Sequence, residues 1–269
     1  MDLRGASAEA LADLTGRLDD AIGGVRQAAT LADELFTVSQ LFRSEAGLRR
    51  YATDASLPPD TKKGMVQQVF KDRLDERTLT LLTEAAGRRW TLSRDLPDVL
   101  ERLSEIAVVR SAGAKSGQVA DELFELSRIV DGNPHLRDAL SDPARSVEDK
   151  SALLDSLLDG KVQAATLTLA KQALAGTYRT MTAALATYRV VAAESQGEIV
   201  ATVRVARPLS AADRRQLAEI LNAQYATTVH LNVVIDPEVL GGVRVEIGDQ
   251  VIDGTIASRL DDARRRLAG

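Results

Sequence analysis

Few residue types in this chain could act in catalysis or bind a metal. The two histidines, His135 and His230, are far apart in the sequence, and a histidine on a surface or a strand face is favoured over a catalytic or metal-binding one. The chain has no cysteine, which excludes disulfides, thiolate metal sites and thiol catalysis. We therefore expect no catalytic residue, no metal site and no cofactor.

Two glycine-containing segments could in principle hold a phosphate, but neither has the required pattern. Gly160-Lys161 lacks the earlier glycine and the following Ser or Thr of a P-loop. Gly241-Gly242 precedes a strand pattern and not a helix, so a turn or a close backbone approach is favoured. Asp253 has no second titrating group as a partner, which favours a turn or capping role over that of a catalytic acid.

The arginine clusters could recognise a partner. Arg88 and Arg89 precede Trp90, the only tryptophan, and a cation stacked on an indole can form a recognition site. A packed edge residue of a helical bundle is the favoured interpretation of Trp90. Residues 264–266 are three arginines in the last turn of a predicted helix, where cations suit the helix dipole. They could contact phosphate or lipid, but the solvated end of a helix is favoured, with contact to an acidic partner helix as the functional alternative.

Composition limits the classes of partner. Of the 269 residues, 45% are hydrophobic, 27% are charged and only 3% are aromatic, so the cores must be built from aliphatic side chains. The formal net charge of −5 provides no basic field that would attract nucleic acid or anionic lipid. The sequence contains no run of eighteen apolar residues, so no membrane-spanning helix is predicted. The first residues do not have the pattern of a secretion signal.

An internal duplication organises the first two thirds of the chain. Residues 32–36, ADELF, recur as residues 120–124, at an offset of 88. The offset holds without a gap for Leu48-Arg49 and Leu136-Arg137, Asp54 and Asp142, Lys62 and Lys150, and residues 78–80 and 166–168. A period of 88 residues is longer than one solenoid unit, so each copy is predicted to be a multi-helix bundle.

Helical periodicity covers both copies. Apolar residues recur at spacings of three and four, which predicts helices with one buried face. The helix predicted near 95–112 lies at the repeat position of the first helix of the chain. It therefore either belongs to both bundles or forms a kinked junction between them. We assign 1–112 to a first helical bundle and 113–196 to a second.

The pattern changes after residue 196. Apolar and polar residues alternate over 199–205 and 229–235, which predicts two strands with a helix between them. A strand over 243–247 turns at Gly248-Asp249 into a partner strand, and a last helix is predicted from Thr255. This order predicts a small α+β domain over 197–269. The predicted fold class is α+β and mainly α: two tandem helical bundles followed by a small mixed α/β C-terminal domain.

The last domain also carries an ordered set of motifs. They are Asp236, Gly241-Gly242, the alternating strand, Gly248-Asp249 and a Val-Ile-Asp-Gly segment that ends with Asp253 and Gly254. In this order they resemble the C-terminal signature of the delta subunit of bacterial F-type ATP synthase, the relative of the mitochondrial oligomycin-sensitivity-conferring protein. The resemblance is closest over 199–267, rests on helical pattern over 118–195, and reaches 1–117 only through the duplication. It implies a non-catalytic stator component in a long form with a duplicated helical region.

The resemblance further implies partners and a location. In such proteins the helical bundle grips the amphipathic N-terminal helix of an α subunit of the catalytic head, while the C-terminal domain holds the end of the membrane-anchored b stalk. The head is then kept from turning with the rotor, and proton-driven rotation yields ATP. The expected location is peripheral, on the cytoplasmic face of the bacterial cell membrane, with membrane contact only through the FO complex. By family position the groove candidates are Leu11, Leu14, Leu18, Leu79 and Leu82 in the first copy and Val99, Leu103, Leu167 and Leu174 in the second.

Two other classes of function stay open on the sequence. A generic helical scaffold unrelated to the synthase would bind other partners, and disrupting the signature at Gly242 would leave synthase assembly intact. An enzyme with an unrecognised site would show a thermal shift with a small molecule or a metal. The sequence does not decide which helical copy binds the α-subunit helix.

Overall fold

The computed structural model describes residues 3–195, 199–225, 229–236, 239, 241–247 and 250–253. The chain divides into two compact units, Met1–Ala192 and Ala193–Gly269. The first unit is helical, and the second contains a four-stranded sheet. The predicted α+β, mainly helical fold class is confirmed. Within the described ranges, no helix is long and apolar enough to cross a membrane.

Eleven α-helices are described up to residue 194, and they fall into two copies that share one helix. The first copy contains α1 (Ala6–Ala21), α2 (Val25–Ser44), α3 (Ala46–Thr53), α4 (Pro59–Phe70), α5 (Glu76–Gly87) and α6 (Asp95–Ser111). The second copy contains α6 again, then α7 (Ser116–Gly132), α8 (Pro134–Ser141), α9 (Val147–Leu158), α10 (Ala164–Ala175) and α11 (Met181–Glu194). Helices α3, α4 and α5 coincide at both ends with α8, α9 and α10 when shifted by the 88 residues of the sequence repeat.

Helix α6 is the shared element. It is one uninterrupted helix that contacts α1 and α2 of the first copy and α7 and α10 of the second. Twelve of its seventeen residues are buried, whereas only four of the sixteen residues of α1, its counterpart, are buried. A helix that is buried nearly all round is a central helix, so the helix near 95–112 belongs to both copies and is not a kinked junction.

Local signals explain several helix starts. The Ser146 hydroxyl accepts a hydrogen bond from the Asp149 N–H (3.0 Å) and caps α9, and Asp75 caps α5 in the same manner. Pro59 begins α4, where its missing N–H costs no hydrogen bond. Ser7 is not a cap: it is buried within α1 and donates a hydrogen bond to Asp95 at the start of α6 (2.6 Å).

One aliphatic core extends through both helical copies. It contains buried Leu, Val and Ala residues from α1 to α11 without a division between the copies. Trp90 belongs to this core, and its indole N–H donates to the carbonyl of Ala85 (3.2 Å). This burial supports the packed interpretation of Trp90 and leaves its ring edge unavailable as a recognition surface.

The second unit is built on a sheet of order β2-β1-β3-β4. Its strands are β1 (Ile199–Val205), β2 (Val229–Ile235), β3 (Val243–Ile247) and β4 (Gln250–Asp253), and α12 (Ala211–Tyr225) lies between β1 and β2. β1 and β2 are parallel, which requires such a crossover, while β3 is antiparallel to both β1 and β4. The alternating residues of β1 and β3 place Ala201, Val203 and Val245 in a separate small core.

Candidate partner-binding grooves

The first helical copy has an open cleft between α1 and α5, which we call the first groove. It has a volume of about 410 Å³ and is lined by Arg17, Asp20, Ala21, Glu76, Arg77, Thr80, Leu81 and Glu84. Asp20 of α1 lines this cleft, and Glu9, Asp13 and Gly16 share its face of the helix by their spacing of four, three and four residues; all four are exposed. A Cβ atom added at Gly16 would meet nothing within 4 Å, so the middle of the face is open.

Ion pairs connect the two walls of the first groove. The Asp13 carboxylate accepts hydrogen bonds from Arg17 (2.9 Å) and from Arg88 at the end of α5. The Arg17 bond holds the pKa of Asp13 below its usual value. Lys63 donates to Glu84 (2.7 Å) and lowers the pKa of that carboxyl. These pairs are solvated, so each contributes little to stability.

The second copy has the equivalent pair of helices, α6 and α10, which we call the second groove. The positions on α6 that correspond to Glu9, Asp13, Gly16 and Asp20 are Pro97, Glu101, Ser104 and Val108, and all four are buried. The Ser104 hydroxyl donates to the carbonyl of Ala32 on α2 (2.7 Å) and accepts from the Gln172 amide on α10 (3.0 Å). The Ser104 side chain of α6 therefore links α2 of the first copy to α10 of the second.

A buried ion pair fixes the other end of α2 to the second groove. Arg43, in the last turn of α2, pairs with Asp98 (2.9 Å) and with Glu101, whose side chain has no exposed area. Glu101 also accepts the backbone N–H of Thr177 just after α10 (3.0 Å). Glu101 corresponds to Asp13, and Gly176 corresponds to Arg88. The cation that α5 supplies in the first copy is thus supplied by α2 in the second.

Glu105 adds a second buried carboxyl to α6. It accepts hydrogen bonds from Arg102 (3.0 Å) and from the Tyr178 hydroxyl (2.8 Å). Burial raises the pKa of Glu105 to about 7, and burial also raises the pKa of Tyr178 above its ordinary value. The Tyr178 ring packs edge-on against Tyr188 of α11, with 5.5 Å between the ring centroids. The polar layer therefore connects α6 to α11 as well as to α2 and α10.

The predicted groove residues divide by burial. Five of them have no exposed area and lie in the chain's own core: Leu14, Leu18, Leu82, Val99 and Leu103. Four are partly exposed at the edge of that core: Leu11, Leu79, Leu167 and Leu174. A side chain with no exposed area can shape a groove but cannot contact a partner in this conformation. Leu11 lies outside the first groove, in a separate cavity of about 340 Å³ together with Tyr178 and Thr187.

The charged and small residues that line the first groove were not among the sequence candidates. Apolar periodicity selects the face of a helix that enters the core, and a groove is lined by the residues beside that face. The duplication carries a signal for them. Where Glu9 and Asp20 stand in α1, the repeat has Pro97 and Val108, and this loss of charge indicates that the α6 face is covered.

The C-terminal signature is described in part. The Asp236 N–H donates to the carbonyl of Val205 (2.9 Å), which ties the end of β2 to β1. Gly241 and Gly242 have φ angles of 80° and 84° in the turn before β3, a region that favours glycine. Asp253 ends β4 opposite Arg244. Gly248, Asp249, Gly254 and the predicted last helix, including residues 264–266, lie outside the described residues.

A helical unit with an open groove and a second unit with a mixed sheet are features typical of an adaptor, a class of protein that holds other chains. In the described part of the chain, no cluster of three or more His, Asp or Glu residues could hold a metal ion. Comparisons with known proteins make this class specific. A family model described as ATP synthase delta (OSCP) subunit matches residues 106–267, which begin within α6 and omit most of the first copy.

Relatives match over nearly the whole chain. A protein from Nocardioides sp. named ATP synthase subunit delta is 50% identical over 99% of this chain and 98% of its own length. Proteins of the same name from Thermobifida fusca and Streptomyces avermitilis are each 39% identical, over 99% and 100% of this chain and 100% of their own lengths. The chain therefore belongs to the ATP synthase delta (OSCP) subunit family. It is a non-catalytic component of the peripheral stalk of F-type ATP synthase, a membrane-associated complex.

Proposed function

We propose that this chain links the α subunit of the catalytic head to the b subunits of the peripheral stalk. The helical unit binds the amphipathic N-terminal helix of an α subunit, and the α+β domain, 197–269, binds the end of the b stalk. The division into two helical copies, 1–112 and 113–196, belongs to the same proposal. The complex then sits on the cytoplasmic face of the bacterial cell membrane, and this chain reaches the membrane only through its partners.

The observation that carries the proposal is the first groove. Its counterpart in the second copy is filled by a helix, α2, so a groove of this construction accepts a helix along its length. Recognition of an amphipathic helix in a groove is a common way to bind a peptide segment. Leu81 and Ala21 supply apolar contact between the walls, and Leu79 is partly exposed on α5.

The lining of the first groove carries charges of both signs, with Asp20, Glu76 and Glu84 beside Arg17 and Arg77, so it suits a partner helix that carries both kinds of charge. Glu84 has Lys63 as a partner, whereas Asp20 and Glu76 have no ion pair within 4 Å in the part of the chain that the structure describes. A lysine or arginine on the partner helix would complement these two carboxylates. Such charges at the rim of an interface mainly set the association rate and the orientation of the partner.

Two interfaces at separate units suit the mechanical role. Each unit holds one partner, and simultaneous engagement makes the second contact intramolecular, which strengthens the linkage far beyond either affinity alone. The head is then held against the torque of the rotor. Proton-driven rotation is converted into ATP synthesis in the catalytic subunits, while this chain carries force only.

The experiment is a calorimetric titration of the full chain with the N-terminal peptide of the α subunit from the same organism. We expect submicromolar one-to-one binding. Thr80→Arg, in the lining of the first groove, should weaken binding at least tenfold, which corresponds to about 1.4 kcal/mol. Thr37→Arg is the matched control, because both hydroxyls are exposed and bond the carbonyl four residues earlier on their helices.

The result that would contradict the proposal is equally specific. An absence of binding by the wild-type chain, with the peptide shown to form a helix, would remove the α subunit as the partner. Equal effects of Thr80→Arg and Thr37→Arg would move the site away from the first groove.

A further inference from the structure

The two grooves occupy equivalent positions of a duplicated structure, but only one of them is free. Along the first groove the face of α1 is exposed, while along the second groove each equivalent residue of α6 is buried. Helix α2 packs against this face of α6, where the Ala32 carbonyl is bonded to Ser104 and Arg43 is paired with Glu101. The difference lies in the neighbouring helix, since α3, α4 and α5 repeat as α8, α9 and α10 with the same bounds.

We propose that α2 is an internal ligand of the second groove, which closes that groove permanently and leaves this chain with one site for a partner helix. The closure itself is independent of the proposed function. Only the identity of the helix that enters the first groove rests on it. The extra helical copy thus does not add a second site: it supplies the open groove and at the same time fills the other one.

The contacts of α2 are those of a bound helix. At its middle the Ala32 backbone approaches α6 closely enough for the Ser104 hydroxyl to bond its carbonyl, which is possible because Ala32 has a small side chain. At its C-terminal end Arg43 reaches across to Asp98 and Glu101. These two anchors lie three turns apart on α2, so the helix is held along its length.

The electrostatics make the closure stable. Glu101 is fully buried, and removing its cationic partner would leave an unpaired charge in the core, which costs several kcal/mol in proteins generally. A partner helix that displaced α2 would have to replace Arg43, the Ala32 carbonyl and the aliphatic contacts of α2 together. At the first groove, by contrast, Asp13 already has its cations from Arg17 and Arg88, and nothing must be displaced.

The absence of cysteine in the sequence permits a clean test with two single substitutions. Gly16→Cys and Ser104→Cys place a thiol at the same repeat position in the open and in the closed groove. The rate of maleimide labelling of each full-length variant is measured under native conditions. It is then measured again with a saturating amount of the α-subunit N-terminal peptide.

We expect the Gly16→Cys thiol to react as an exposed thiol and the Ser104→Cys thiol to react at least a thousandfold more slowly, at the rate of global unfolding. The peptide should slow labelling of Gly16→Cys at least tenfold and leave Ser104→Cys unchanged. Hydrogen exchange of the α2 amides in the wild-type chain gives the same information without a substitution. These amides should exchange only through global unfolding.

Other outcomes separate the two proposals. Labelling of Ser104→Cys within tenfold of Gly16→Cys, or fast exchange of α2, would overturn the closure. Acceleration of Ser104→Cys labelling by the peptide would show that the partner displaces α2, which also overturns it. A peptide that fails to protect Gly16→Cys would contradict the proposed partner, while the difference between the two thiols without peptide would still decide whether α2 closes the second groove.

Discussion

Helices α1 and α6 occupy the same place in their two copies, yet one is an outer wall and the other is a central helix. The positions Asp13 and Gly16 of α1 face solvent, whereas Glu101 and Ser104 of α6 are buried under α2. A tandem duplication that shares a helix has this result, because the shared helix must serve both copies with opposite faces. The comparison teaches that repeated sequence does not imply repeated binding sites.

The largest effect should come from the buried cation. Arg43→Ala leaves Glu101 without its cation in the core, and we expect the free energy of unfolding to fall by about 3–5 kcal/mol. Arg88→Ala removes the cation of the equivalent Asp13, which is solvated, and should cost at most about 1 kcal/mol. Urea denaturation of both variants measures the contrast. Similar losses of unfolding free energy for Arg43→Ala and Arg88→Ala would show that the cation is no more important in the second copy than in the first.

A smaller effect is expected at the centre of the grooves. Ser104→Leu inserts a large side chain between α2 and α10 and removes two hydrogen bonds, which should lower the free energy of unfolding by about 2–3 kcal/mol. Gly16→Leu adds the same side chain in open space on a helix, where replacing glycine stabilises by about 0.5–1 kcal/mol. Opposite signs support the comparison, and a loss of stability in Gly16→Leu would break it.

A third effect concerns pH. Because burial raises the pKa of Glu105 from 4.5 to about 7, the folded state holds a proton that the unfolded state has lost between these values. The contribution of Glu105 to stability is therefore full below about pH 4.5, falls as pH rises to about 7, and is level above. Glu105→Gln should remove this loss, which amounts to about 2.5 kcal/mol between pH 5 and pH 8.

The measurement compares the free energy of unfolding of wild type with that of Glu105→Gln, by denaturation at pH 5 and at pH 8. A difference between the two proteins is needed because Asp13 and Glu84 have lowered pKa values, and their contributions to stability change with pH in the opposite direction. The counterpart of Glu105 is Arg17, which is exposed and carries its charge at both pH values. Arg17→Gln should show the same difference from wild type at pH 5 and pH 8. If the difference in free energy of unfolding between wild type and Glu105→Gln were the same at both pH values, the raised pKa of Glu105 would be contradicted.

Much of the fold was available from the sequence, because it depends on local signals. The offset of 88 residues predicted the repeat of α3, α4 and α5, and alternation predicted β3 together with its partner strand. The glycine pair before β3 was correctly assigned to a turn. Periodicity also identified Leu14 and Leu82 as apolar-facing residues. It could not tell whether the apolar neighbour is the chain itself or a partner, and here it is the chain itself.

The closure of the second groove could not be predicted locally. Glu101 and Glu105 are carboxylates on a helix, and such residues are normally exposed. Their burial depends on Arg43, 58 residues away from Glu101, and on Tyr178, 73 residues away from Glu105. Sequence spacing within one helix does not encode pairings of this range. The sequence candidates therefore name the two helices that flank the first groove, while the residues that line the groove and its exposure come from the tertiary structure.

The shared helix has a consequence for how this chain can evolve. Where α1 has the exposed charges of Glu9 and Asp20, α6 has the buried residues Pro97 and Val108, so the second copy does not have a solvated outer face. A shortened descendant without α2 would expose that face and leave the Glu101 carboxylate unpaired in an apolar surface. Loss of the extra copy would therefore expose this face of α6 unless substitutions along the helix accompanied it.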